Sequence, residues 1–263
     1  MDINKQPKFI FGIPLRAKAL SDDWDLVCKN LERTLSSLSQ QKDKDFIVYI
    51  AAHEHPPVNF QNLTVKVLLA THTPDINKMG GDKGRKKQMI GASLREDGYE
   101  SVYFMHLDAD DLVDPSLVEF VQRDDNKRGY LLTRGYIYDV MNDRISKSKA
   151  FYKHCGSCAI LYFTRDDFPL NIKDKNCYYS QFGRHKQYKD VALQFGRELQ
   201  PLKKPMVVYM VNHGENTRKY RGKGQAKVNF VKKHQITDNN RLASIKVRFP
   251  DINGLNKSIS KQE

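Results

Sequence analysis

The run from Tyr103 to Asp111 (Tyr-Phe-Met-His-Leu-Asp-Ala-Asp-Asp) passes abruptly from apolar and aromatic residues to three carboxylates. Aspartate is not accommodated inside a buried strand. The pattern therefore predicts a strand ending at Leu107 with the acids at its carboxyl end, where open α/β sheets place their ligands. Asp108 and Asp110, separated by Ala109, can turn to the same side and offer hard oxygen atoms to Mg²⁺ or Mn²⁺, and such an ion can grip a diphosphate. Part of the acidity has a plainer use, because Asp114-Pro115-Ser116 reads as the cap and first turn of a helix. Asp114 suffices for that cap, which leaves the upstream acids for a cation.

Two further segments carry residues capable of chemistry. Between Asn77 and Gln88, Gly80, Gly81 and Gly84 precede Arg85, Lys86 and Lys87. Such a stretch reads as a flexible surface turn that can wrap anionic oxygens, although it has neither the Walker nor the dinucleotide spacing. Cys155-Gly-Ser-Cys158 has the spacing of a zinc or redox pair, with His154 and Cys177 as possible completing ligands. No second Cys-x-x-Cys exists, and Cys158 opens a strand-like run, so the expectation is a small buried hydrophobe rather than a metal ligand.

The elements that must position these residues alternate through the first 120 positions. Phe9–Pro14 is a short apolar strand. Ser21 or Asp22 can cap a helix in which Trp24, Val27, Leu31, Leu35 and Leu38 recur every three or four residues. Phe46–Ala52 and Val65–Ala70 are the next strands, Lys86–Leu94 a helix, and Ser101–Leu107 the strand leading to the acids. This β-α-β-β-α-β order predicts a largely parallel sheet covered by helices. After residue 128, the runs Gly129–Asp139 and Ser157–Thr164 read as an antiparallel extension. A polar, aromatic-dotted segment follows from Asp166 to Tyr188, then a helix near Asp190–Phe195 and a last strand, Met206–Val211, ending on Asn212-His213-Gly214-Glu215-Asn216.

With 263 residues, 40% of them hydrophobic, the chain can bury a substantial core. No run of about 18 apolar residues occurs, and the first residues lack the apolar centre of a secretion signal, so a cytoplasmic protein is expected. The four cysteines are expected to be reduced. The net charge is +13, and residues 201–263 hold 14 Lys and Arg against 4 Asp and Glu. The partner is therefore expected to be anionic: a nucleotide diphosphate, an acidic membrane surface, an acidic polysaccharide or nucleic acid.

The strand ending on Leu107-Asp108-Ala109-Asp110-Asp111, the β/α half before it, Gly196–Leu202 and His213–Asn216 together resemble nucleotide-sugar glycosyltransferases of the glycosyltransferase A fold, nearest to bacterial family 2-like enzymes. The resemblance runs from Phe9 to Lys223. It implies an α/β fold with a Rossmann-like, mixed and mostly parallel sheet flanked by helices. One catalytic domain would span 1–224, with a nucleotide-sugar-binding half at 1–120 and an acceptor half at 121–224, followed by a basic extension at 225–263.

The resemblance also implies roles for residues. Asp110, with Asp108, would hold Mn²⁺ or Mg²⁺ on the donor diphosphate, with His213 as a further metal or phosphate contact. Arg85, Lys86 and Lys87 would approach the donor. The loops Pro14-Leu15-Arg16 and His53-Glu54 would form the nucleoside pocket, with Arg16 and Glu54 as base and ribose contacts. The usual Asn-Glu after the first strand and Asp-Asp after the second are missing here. Arg218 and Arg221 could swing onto the diphosphate as parts of a lid. The implied reaction is inverting transfer from a nucleotide-diphosphate sugar to a glycan or lipid-linked acceptor, in bacterial surface polysaccharide synthesis at the inner membrane face.

The departing nucleotide diphosphate gains negative charge, so the cation and basic side chains would stabilise the transition state more than the ground state. A base must also take the acceptor proton. His185 is the first candidate, with Asp166, Asp167 and Asp190 beside it. Two other readings compete. A haloacid dehalogenase-like phosphohydrolase also uses Asp-x-Asp after a strand, but there the motif opens the fold. A basic nucleic-acid-binding protein would account for the charge, but Asp108 to Asp114 would repel phosphate, so no nucleic acid is expected.

Overall fold

The computed structural model describes residues 6–75, 79–216 and 224–252. Strands β1 (Lys8–Pro14), β2 (Phe46–Ala52), β3 (Val65–Leu69) and β4 (Ser101–His106) are joined through helices α1 (Trp24–Ser39) and α2 (Met79–Glu96), as the alternation predicts. After the acids come β5 (Leu112–Val113), α3 (Leu117–Asp124), β6 (Tyr130–Leu132), β7 (Gly135–Asp139), β8 (Arg144–Ser148) and β9 (Ala159–Thr164). The chain continues through α4 (Tyr188–Gln194), β10 (Gln200–Leu202), β11 (Val207–Val211), α5 (Gly224–Lys233) and α6 (Asn239–Arg248).

Seven strands form a sheet in the order β10-β6-β9-β4-β1-β2-β3, in which β4, β1, β2 and β3 are parallel and β9 runs antiparallel to both β4 and β6. The expected antiparallel extension is thus present, but Gly129–Asp139 divides between two sheets. Its second part, β7, joins β5, β11 and β8 in a separate four-stranded sheet. Phe9, Ile10, Phe11 and Ile13 of β1 and Val102 to Met105 of β4 are wholly buried, as central parallel strands covered on both faces require. Gly12 is needed here because a Cβ at that position would lie 2.4 Å from the Phe104 ring.

Several local expectations need correction. Helix α1 is capped by Asp23, whose carboxylate accepts from the Leu26 amide at 2.9 Å, not by Ser21 or Asp22. The expected glycine turn of Asn77–Gln88 is helical from Met79 onward. Each glycine costs a helix roughly 1 kcal/mol, but the complete burial of Ile90 and Leu94 against the sheet outweighs that local preference. Residues 225–252 of the expected basic extension form α5 and α6. Ile236, Ile245, Phe249 and Ile252 pack there with Tyr136, Tyr138, Val208 and Met210 of the second sheet. No helix among the described residues is long and apolar enough to cross a membrane.

Candidate active site

The carboxyl ends of β1, β2 and β4 open on one edge of the large sheet. Leu107 extends the β4 ladder by donating to Gly12 O at 3.0 Å, and the Asp111 amide closes a turn onto Asp108 O at 3.2 Å. This turn separates the three acids by role. Asp108 and Asp110 are each about a quarter exposed, whereas Asp111 is wholly buried. Ala109 lies half-buried between the two accessible carboxylates.

Asp111 holds the turn in place. Its carboxyl accepts from Ser157 Oγ at 2.6 Å, Cys155 Sγ at 3.1 Å and the Met210 amide at 3.2 Å. Burial, followed by repulsion from Asp110 and Asp108, pushes it well above the usual carboxylate range. The Asp108 amide donates to Ser157 Oγ at 2.9 Å, and a Cβ on Gly156 would stand 2.8 Å from Asp108 Oδ2. The Cys-Gly-Ser-Cys segment is therefore a cradle for the acidic turn. All four cysteines are free thiols, and among the described residues none joins a three-ligand group.

Asp108 carries the Lys83 ammonium of α2 as an ion pair. Burial works to raise the Asp108 carboxyl, but Lys83 and then Lys87 outweigh it and hold the pKa below the usual range. The basic cluster divides around the helix in a way that spacing along the chain did not single out. Arg85, two residues from Lys83, is exposed on another side of α2. Lys86 is wholly buried and donates to Leu15 O at 2.6 Å and Asp82 Oδ2 at 2.9 Å. Of the two residues expected to approach the donor, Arg85 is exposed, and Lys86 ties α2 to the end of β1. Lys87 lies beneath Asp108, 3.0 Å from Tyr188 Oη, and burial followed by repulsion from Lys83 pulls its pKa down to about 7.

His213-Gly214-Glu215-Asn216 closes over the acids as a clasp. Because Met210 of β11 is hydrogen-bonded to Asp111, the loop three residues later is delivered to Asp110. His213 Nε2 lies 2.8 Å from Asp110 Oδ2, and its Nδ1 lies 3.0 Å from Asn30 Nδ2 of α1. A ring carrying its proton on Nε2 donates to Asp110, whereas one carrying it on Nδ1 turns the Nε2 lone pair towards Asn216 Nδ2, 2.6 Å away, or towards a cation. Asn216 Nδ2 stands 3.4 Å from the same carboxylate and donates to Met210 O at 3.2 Å.

Glu215 accepts from the Asp22 and Asp23 amides at 3.1 and 2.8 Å and from Arg16 Nη1 at 3.0 Å. Arg16, expected to contact base or ribose, is therefore engaged in holding the clasp. Pro14 ends β1 at this edge. Glu54 accepts from the Lys18 amide at 2.5 Å, so its carboxylate is already used in the loop after β1.

Of the metal set expected from Asp108, Asp110 and His213, Asp110 and His213 stand together, while Asp108 is paired with Lys83. Asp110 and His213 do fit a cation: one carboxylate oxygen and one imidazole nitrogen stand together at an accessible edge. Ions of the Mg²⁺ and Mn²⁺ class are commonly held by one or two protein groups together with substrate phosphates, and imidazole favours the softer Mn²⁺. Among the described residues, the one place where three ligand atoms gather within 4.8 Å is His53, His72 and Asp82, beyond the ends of β2 and β3. There His72 Nε2 is 2.8 Å from Asp82, His53 Nε2 is 2.9 Å from His72 O, and the Lys86 ammonium occupies the other Asp82 oxygen.

The candidate bases separate clearly. His185 begins a single 3-10 turn, and its buried Nε2 has no hydrogen-bond partner. Burial lowers its pKa to about 4, although Asp108 pulls the other way, so the ring is a neutral acceptor at pH 7. Asp166 and Asp167 follow β9, whose antiparallel register sets Thr164 opposite Ser101 at the far edge of the sheet from Asp108. Asp167 is moreover taken by Arg197 at 2.6 and 3.0 Å. Asp190 is exposed on α4, two residues from the buried Tyr188 and so on another side of that helix. The register of β9 and the facing of α4 thus set Asp166, Asp167 and Asp190 apart from the acidic turn. Arg218 and Arg221 lie outside the described residues. Beside Asn216, a cavity of about 520 Å³ opens among Tyr209, Val211, Gly214 and Lys227.

No protein-family model matches this chain, and no curated protein sequence is similar to it. Among solved structures, it is similar in part to mouse xyloside xylosyltransferase 1 in its apo form, with 12% identity and a TM-score of 0.29 over 74% of this chain and 77% of that one.

Proposed function

We propose that this chain is a metal-dependent glycosyltransferase that moves a sugar from a nucleotide-diphosphate donor to a glycan or lipid-linked acceptor. The observation that carries the reading is the meeting of Asp110 and His213, two ligand groups from distant parts of the chain, at the carboxyl edge of a parallel sheet. Asp110 and His213 would hold Mn²⁺ or Mg²⁺, which would offset the charge of the departing diphosphate. Lys83 and Lys87 supply positive charge to the same cleft, and the cavity beside Asn216 receives the acceptor. The catalytic unit, expected over residues 1–224, extends in this reading through α5 and α6, which pack on the second sheet, and Lys227 of α5 lines the acceptor cavity.

His185 is proposed as the base, because a neutral imidazole with an unsatisfied Nε2 can accept a proton. The acceptor oxygen bonds to the anomeric carbon as the carbon–oxygen bond to the diphosphate breaks, and the hydroxyl proton passes to His185. Inversion, a role in bacterial surface polysaccharide synthesis and work at the inner membrane face remain parts of this proposal that rest on the family resemblance. A phosphohydrolase is disfavoured because its nucleophile would be Asp108, which is already paired with Lys83.

The test is a thermal-shift screen of UDP-, GDP-, CMP- and TDP-sugars with and without Mn²⁺, since a ligand that binds only the native state raises its apparent stability. A shift needing both sugar nucleotide and Mn²⁺, and lost in Asp110→Asn, supports the reading. Hydrolysis of simple phosphate esters without acceptor, and no response to any sugar nucleotide, would overturn it.

A further inference from the structure

A second concentration of chemistry lies at the opposite end of the smaller sheet. Strand β7 runs parallel to β11, so its start is remote from His213, which follows the end of β11. The β7–β8 register pairs Gly135 with Ser148, which sets Arg134 across from Lys149. An antiparallel bridge between Ser146 and Gln235 brings His234 alongside Lys147. Helix α6 adds Arg241 in its first turn. Three segments distant in sequence thus bring Arg134, Lys147, Lys149, His234 and Arg241 to the wall of one cavity of about 470 Å³.

Strand alternation explains why the cations face outward together. Ser146 and Ser148 are buried, so Lys147 and Lys149 share the open face. Among the described residues, the one carboxylate lining the cavity, Asp238, is used as the cap of α6, accepting from the Arg241 amide at 2.8 Å. Elsewhere the cations that shape the fold are paired: Lys83 with Asp108, Arg16 with Glu215, Arg197 with Asp167 and Arg248 with Asp114. Among the described residues, Arg134, Lys147, Lys149 and Arg241 form no ion pair. Partial burial, followed by repulsion from Arg241, Arg134, Arg248 and Lys149, pulls the Lys147 ammonium below its ordinary range. Gathering like charges without a counter-charge is unfavourable, and an anion in the cavity reverses the sign of that interaction.

We propose that this cavity is an anion-binding site, separate from the Asp110 and His213 cleft, that receives a phosphate-bearing group from a soluble small molecule or a lipid head. The concave shape and the convergence of basic residues from three segments suit a compact phosphoryl or pyrophosphoryl group rather than an extended polyanion. Arg134 and Arg241 offer planar donors that match phosphate oxygens, and Lys147 and Lys149 offer point charges. The site rests on no assumption about the reaction.

Calorimetric titration of inorganic pyrophosphate into the full-length protein in EDTA tests it without any metal. Saturable binding is expected, weakened at least about tenfold by Lys147→Glu and by Arg241→Glu and unchanged by Asp110→Asn. Arg241 is exposed, so its variant keeps the fold and serves as the control for Lys147→Glu. Co-sedimentation with phosphatidylcholine vesicles, with and without phosphatidic acid, identifies the source. Binding to acidic vesicles that Arg241→Glu abolishes assigns a lipid head, and pyrophosphate binding without vesicle binding assigns a soluble ligand. The proposal fails if pyrophosphate does not bind, or binds equally well to both variants. It also fails if a single-stranded oligonucleotide binds in its place with an affinity that Lys203→Glu and Lys204→Glu, at exposed positions between β10 and β11 and outside the cavity lining, reduce as much as the cavity variants do.

Discussion

His213 and Asp110 meet at 2.8 Å across a separation of 103 residues, and this contact sets an imidazole against an accessible carboxylate at the end of β4. Asp110 reaches it from β4, and His213 from β11, through the hydrogen bond between the Met210 amide and Asp111. Asp110→Asn and His213→Ala are therefore each expected to abolish the Mn²⁺-dependent thermal shift with sugar nucleotide. Each should lower turnover by about 100-fold or more, since both remove a group that offsets developing charge. A retained shift in either variant would remove the proposed metal ligands.

Gly156 allows the Asp108 carboxylate to lie against the chain, with a Cβ there 2.8 Å from Oδ2. Gly156→Ala should displace Asp108 and Lys83 together. Donor affinity is expected to fall about tenfold with a small change in melting temperature, because the neighbouring carboxylate is at an accessible edge and can shift. Equilibrium binding of the best donor checks this.

Ser157 serves two partners, donating to Asp111 and accepting from the Asp108 amide. Ser157→Ala leaves the Asp108 amide without its acceptor and removes one of the three donors on Asp111, and should cost about 1–3 kcal/mol. Denaturant unfolding measures the loss.

His185 titrates at about 4 because its ring is buried. Its neutral form is therefore present throughout the neutral range, and the acid limb of kcat/KM should lie near pH 4 rather than near the ordinary histidine value. The stability sign follows from the same depression. Above 6.5 the contribution of the neutral ring is fully present. As pH falls from 6.5 towards 4 the unfolded chain takes up the proton first and stability is lost. His185→Gln should accordingly gain stability relative to the parent as pH is lowered through that window, while its turnover falls and donor binding persists. Unchanged turnover would eliminate His185 as the base.

Asp167 is a structural residue, held by Arg197 and by the Thr164 amide at 2.7 Å. Asp167→Ala should destabilise the fold by about 2–3 kcal/mol while leaving kcat unchanged at a temperature where the variant is folded. A lost kcat in folded protein would restore it to the site.

The division between sequence and tertiary structure runs through individual residues. Apolar periodicity and strand–helix alternation determined β1 to β4, α1 and the exposed acidic end of β4, because burial on both faces demands continuous hydrophobic strands and excludes carboxylates from them. Sequence also carried the clue to the clasp, since His213-Gly214-Glu215-Asn216 follows a strand as Asp108 to Asp111 do. Tertiary structure alone decided which acid does what. Asp108, Asp110 and Asp111 are alike in type, and only the facing of Lys83, His213 and Ser157 makes them a lysine-paired anion, a histidine-facing carboxylate and a buried anchor. The same holds for Lys83, whose place in a helix rather than a glycine turn rests on the burial of Ile90 and Leu94. Propensity is local and weak, whereas the burial and pairing that assign a charged side chain its role depend on residues a hundred positions away.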